Sequence, residues 1–252
     1  PAVARHRTVP PPDPNNIGPD SAPLRNIADE INKRLKPPKG PEMGPERSVG
    51  ASPWPGSGDR GFWIAGTQGI ERLYALQDLR TDVRLPGGAS ADLWLYAPTM
   101  QIPDATQARF GCLEAVTIHY RTTGMTETGH AHGFWDHCVI HTFTYWTDAT
   151  ADFIADYADG DGRYWTGIIH DGDTWLGLLF NRRTAQWELV AGVNSAVNTD
   201  PRLTAGWTMF ETHGFAESNI CPYLPPIRSQ DIEVFANGAW SHLVPPISFD
   251  LG

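Results

Sequence analysis

A chain of 252 residues, 40% apolar and 19% charged, can bury a core, and fits one large domain or one domain with an arm. Its 19 basic and 29 acidic side chains leave a net charge of -10, which argues against a nucleic-acid partner, since gripping phosphates needs a Lys/Arg surface that displaces counterions. No apolar run approaches the roughly 18–20 residues that cross a bilayer, so no membrane partner is expected either.

The start lacks the basic end, apolar stretch and small-residue cleavage site of a signal peptide. Opening at Pro1, the chain is expected to be a processed or truncated product, whose missing leader says nothing about compartment. Composition then divides it at residue 50. Residues 1–50 hold eight basic and six acidic side chains, eleven of the 22 prolines and all three lysines (Lys33, Lys36, Lys39). Residues 51–252 hold 11 basic and 23 acidic side chains and all ten tryptophans. The first segment reads as a Pro-rich basic arm with one short helix. Ser21 is its N-cap, Pro23 sits in the first turn, Leu24, Ile27, Ile31 and Leu35 fall at helical spacing, and Pro37 and Pro38 end it. Such a stripe docks on the body, unless the arm is a solvated linker.

In the body, Gln68–Leu79 has helical spacing and is the only helix expected there. The stretches 91–98, 113–120, 138–146, 163–169, 174–180 and 185–192 are rich in β-branched and aromatic residues and read as strands. Short turns at 170–173 and 181–184 make 163–192 a three-stranded meander. Many strands at short spacing, without alternating helices, predict an all-β body: an antiparallel β-sandwich or jelly roll over 51–252. Of the three cysteines, Cys112, Cys138 and Cys221, at least one has no partner within the chain. A Cys112–Cys138 bridge would tie two predicted strands and suit an oxidising compartment; three buried thiols are the other reading. The acidic, Lys-free, Trp-rich body points to secretion.

Three constellations carry chemistry. Period-two alternation puts Glu114 on one face with Val116, Ile118 and Tyr120, and Glu211 on one face with Trp207 and Met209. A carboxylate among apolar neighbours has its pKa raised or finds a partner; two such groups in one cleft divide acid and base roles, unless each pairs with an arginine or lies exposed. The second constellation is histidine-rich, with His130, His132, His137, His141 and Asp136. His-x-His on a strand presents both rings to one face, as in the first cupin motif, and with Asp136 and His170 would hold a divalent transition metal; a loop of surface histidines is the alternative. The third is the aromatic surplus. Trp165 with Trp175, and Trp187 with Trp207, are candidate cross-strand pairs forming a platform for sugar rings, or else packing the core.

The text "YWTGIIHDGDTWLGLLFNRRTAQW", then "AGWTMFETHG", then "CPYLPPIRSQDIEVF" makes residues 163–235 resemble the C-terminal half of the glutamic peptidases of the eqolisin type, and more distantly of the neprosin type. The Trp207-to-Glu211 spacing is one residue longer than in the eqolisin form. The resemblance implies a concanavalin A-like sandwich that cuts polypeptides at acid pH without a cofactor. It puts the catalytic Glu on Glu211 and its partner on Glu114; Trp207, Trp165, Trp175, Trp187 and Tyr120 are the candidate substrate-binding residues. One protonated carboxyl would polarise the scissile carbonyl while the other takes a proton from water. The basic arm would then be a pro-segment. A carbohydrate-binding or carbohydrate-cleaving module on the same fold, and a cupin-like metal enzyme, are the competing expectations.

Overall fold

The computed structural model describes residues 32, 48–50, 60–63, 70–85, 93–102, 111–195, 213–215, 228–242 and 247–250. Two antiparallel sheets face each other. The larger runs β1 (Ser48–Gly50), β12 (Arg228–Ala236), β3 (Ile70–Asp78), β8 (Arg163–Asp171), β9 (Thr174–Asn181), β10 (Gln186–Asn194), with β13 (Ala239–His242) paired to β12. The smaller runs β11 (His213–Phe215), β4 (Leu93–Gln101), β5 (Leu113–Arg121), β6 (Gly129–Asp136), β7 (Thr142–Asp148). A separate pair joins β2 (Arg60–Trp63) to β14 (Ile247–Asp250). The expected all-β antiparallel sandwich is the fold.

Alternation along each strand divides it between two environments. Leu95, Met100, Leu113, Ala115 and Phe134 of the smaller sheet pack against Leu73, Ala75, Ile168, Trp175 and Val234 of the larger, forming the main core. Close approach of the sheets needs a glycine. A Cβ on Gly177 of β9 would lie 2.8 Å from the Phe134 ring. The meander 163–192 forms as expected, its first turn taken by Gly172 at φ 60° and its second by Asn181, whose Oδ1 accepts the Arg183 and Thr184 N–H groups. A short helix, α1 (Ala151–Tyr157), follows β7; Thr150 caps it, and Phe153 packs with Leu79, Tyr164 and Leu179.

The helix expected over Gln68–Leu79 is instead the strand β3. It is central, and from Leu73 to Asp78 every residue is buried, so the alternation that marks a half-buried strand is absent. Residues 138–141, expected within a strand over 138–146, form a turn ahead of β7, and β6 escapes the strand pattern because two glycines and two histidines dilute its β-propensity. Cys112 and Cys138 are disulfide-bonded; Cys221 lies outside the described residues. Of the arm, Asn32 and the end, β1, are described. Asn32 is helical and clasps the edge strand β10, donating from Nδ2 to the Trp187 carbonyl (2.9 Å) and accepting the Trp187 N–H at Oδ1 (2.8 Å). The rest of the expected helix lies outside the described residues.

Candidate functional site on the outer face of the five-stranded sheet

β5 sends Leu113, Ala115, Thr117 and His119 inward and Glu114, Val116, Ile118 and Tyr120 outward. The outward set joins Trp94 and Tyr96 from β4, Trp135 from β6, and Phe143 and Trp146 from β7 in one half-buried aromatic face. Trp94 and Tyr120 stack at 5.4 Å, and Trp146 meets both edge-on. Two glycines let rings lie against the strands. A Cβ on Gly129 would meet the Tyr120 ring at 2.4 Å, and one on Gly133 the Phe143 ring at 2.7 Å. Asp148 Oδ1 accepts from Tyr120 O–H (2.9 Å) and Trp146 Nε1–H (3.1 Å), fixing both rings. Burial and the Asp148 charge push the Tyr120 hydroxyl up to about 12, so it stays a donor.

Glu114 lies at one end of this face, 5% exposed. The guanidinium that such a carboxylate commonly finds is not its partner: Arg121, on the same strand, is bound to the carbonyls of Leu85, Met125 and Thr126. Instead His137 Nε2 lies 2.7 Å from Glu114 Oε2. Directly across on β4 is Gln101, fully buried, which accepts the Gly111 N–H at Oε1 and, among the described residues, leaves Nε2 without a hydrogen-bond partner. Gln101 and His137 were missed as companions of Glu114. A β-bulge between Tyr96 and Thr99 sets the register that brings Gln101 opposite, and the disulfide-closed turn brings His137; neither feature is a pattern in the sequence.

Glu211 and Trp207 lie outside the described residues, but β11 begins two positions after Glu211 and is a strand of this same sheet. Tyr120 is on the face, as expected. The other three named tryptophans are not: Trp165 (7% exposed), Trp175 (0%) and Trp187 (2%) are buried in the larger sheet. Trp175 stands opposite His170 and stacks on it at 3.9 Å, and so does not pair with Trp165. Trp165 and Trp187 point away from the main core and pack with Tyr74. Core packing, the competing reading of these tryptophans, is what the structure has.

The histidines separate likewise. His130 and His132 share the inner face, as His-x-His on a strand must, but they do not converge with Asp136 and His170. His130 Nδ1 is 2.9 Å from His119 Nδ1. His132 Nδ1 is 2.8 Å from the Tyr164 hydroxyl, which also contacts Thr117 and Gln77. Asp136 spends its carboxylate on the N–H groups of Cys138, Val139 and Ile140, and His170 belongs to the other sheet. These residues do not fit a metal, and among the described residues no group of three or more His, Cys, Asp or Glu is arranged to hold one. Burial lowers the pKa of His130 and His170 and takes that of the fully buried His132 down to about 3.

No protein-family model matches the chain, and no curated protein matches its sequence. Solved structures share the sandwich architecture at low similarity. Scytalido-glutamic peptidase, solved with a transition state analog inhibitor, is 14% identical with a TM-score of 0.38, over 73% of this chain and 83% of that one. The CBM2 module of the evolved Dit of Lactobacillus casei BL23 phage J-1 is 11% identical with a TM-score of 0.33, over 66% of this chain and 61% of that one. The enzymatically active domain of bacteriophage CBA120 tailspike protein 2 is 9% identical with a TM-score of 0.31, over 75% of this chain and 24% of that one.

Proposed function

We propose that the outer face of the five-stranded sheet is the working surface of a secreted hydrolase resembling the glutamic peptidases, which lays an extended polypeptide over its rings and cuts it beside Glu114. The observation that carries this reading is the position of Glu114: a buried carboxylate at the end of a ring-lined sheet face, held by an imidazole. The reading takes Glu211 as the second carboxyl. One carboxyl, protonated, polarises the scissile carbonyl; the other takes a proton from the attacking water and returns it to the leaving amine, each worth about 10²–10⁴-fold. The Gln101 Nε2–H, a buried donor with no partner among the described residues, is suited to the oxygen that gains negative charge. The Cys112–Cys138 disulfide favours an oxidising compartment.

A second reading is favoured by one specific observation. The rings of Trp94, Tyr120 and Trp146, two of them fixed by Asp148, form a platform of the kind on which sugar rings stack, so a polysaccharide is the alternative polymer. A digest of denatured casein at about pH 5 separates the two. The peptidase reading expects cleavage that Glu211→Gln abolishes. Intact casein, together with tryptophan fluorescence quenched by a soluble glucan, would transfer the face to carbohydrate.

A further inference from the structure

We infer that His137 is a positioning residue for Glu114, held at its post by a turn built for that purpose; the inference rests on the hydrolase reading above. The turn after β6 is fixed in three independent ways around this one imidazole. The His137 N–H donates to the Cys112 carbonyl at 3.0 Å, tying the turn to the start of β5. The adjacent Cys138 is bonded covalently to Cys112, two residues before Glu114. On the other side Asp136, 1% exposed, accepts the N–H groups of Cys138 (2.8 Å), Val139 (2.9 Å) and Ile140 (3.2 Å). A buried carboxylate and a disulfide thus fix the backbone on each side of a half-buried histidine whose Nε2 lies 2.7 Å from Glu114 Oε2. An N–H on Oε2 sets the plane of the Glu114 carboxyl and leaves the lone pairs of Oε1 to take the proton from water.

The geometry also names the conservative replacement. A glutamine at 137 carries its amide N–H at about the distance of an imidazole Nε2 from the backbone, so it donates to Glu114 without titrating. The test is steady-state casein cleavage by wild type, His137→Ala, His137→Gln and Glu114→Gln, with thermal midpoints recorded beside the rates. His137→Ala is expected to lower kcat about 10- to 100-fold with KM unchanged, and His137→Gln to restore most of it. His137→Ala with full kcat, beside an inactive Glu114→Gln, overturns the inference and leaves the hydrolase reading standing. A His137→Gln as slow as His137→Ala, at wild-type thermal midpoint, overturns it as well. Casein cleavage that survives Glu114→Gln removes the reading, and the inference with it.

Discussion

The two faces of β5 show how one strand serves two opposed chemistries. Outward, Glu114 and Tyr120 sit among half-buried rings, and their polar atoms meet a histidine and an aspartate at the edge of solvent. Inward, Thr117 and His119 enter a sealed layer where the Tyr164 hydroxyl joins Thr117, His132 and Gln77. The inner histidine His132 stays neutral, its pKa held at about 3 by burial. A half-buried ring face is thus backed by a layer that resists protonation.

The largest effect expected from this contrast is on stability against pH. His132 has a folded pKa depressed from 6.5 to about 3, so its contribution is full above about pH 6.5 and is lost as the pH falls toward 3. That shift corresponds to roughly 5 kcal/mol, with His130 and His170 adding in the same direction. Urea unfolding from pH 7 to 4 should show the fall, and His132→Asn, which keeps a polar atom near Tyr164 but does not titrate, should flatten it. Stability unchanged across this range would break the contrast. The same loss sets an acid limit, so a carboxyl-based hydrolase on this scaffold is expected to work nearer pH 5 than pH 3.

Next in size is the disulfide, which spans 26 residues and fixes the turn that serves the outer face. Replacing both cysteines by serine is expected to cost about 3–4 kcal/mol in urea unfolding through the freed denatured chain. Gly177→Ala acts on the sealed side instead. Its Cβ meets the Phe134 ring at 2.8 Å, and a loss of about 1–3 kcal/mol is expected, with no change in ligand binding by the outer face.

How much of this was legible in the sequence follows the same division. Six strands stood out because each is bounded by turn residues or carries β-branched and aromatic runs, and Glu114, Val116, Ile118 and Tyr120 declared a common face by alternation alone. β3 did not, because a strand covered on both faces loses its period, and Ile70, Leu73 and Leu76 then mimic a helical stripe. Trp165, Trp175 and Trp187 admit both a platform and a core reading, because an aromatic residue looks the same to the sequence on either side of a sheet, and only the pairing of sheets decides which side is buried. His137 reaches Glu114 through a turn, and a bulge sets Gln101 opposite it; neither leaves a periodic mark.

The smallest effect sharpens the outer face itself. Trp94→Ala removes the ring stacked on Tyr120 and is expected to weaken binding of the polymer substrate by about 1 kcal/mol, read as a several-fold rise in KM or in the glycan concentration that quenches fluorescence, with kcat little changed.

The carboxyl of Glu114 is the point on which the functional account turns. Casein cleavage at about pH 5 by the wild type and by Glu114→Gln, a replacement that keeps shape and hydrogen bonding but removes the ionisable group, tests it most directly. The account predicts a fall of about 10²-fold or more with the thermal midpoint preserved. A folded Glu114→Gln that cuts casein at the wild-type rate would contradict it.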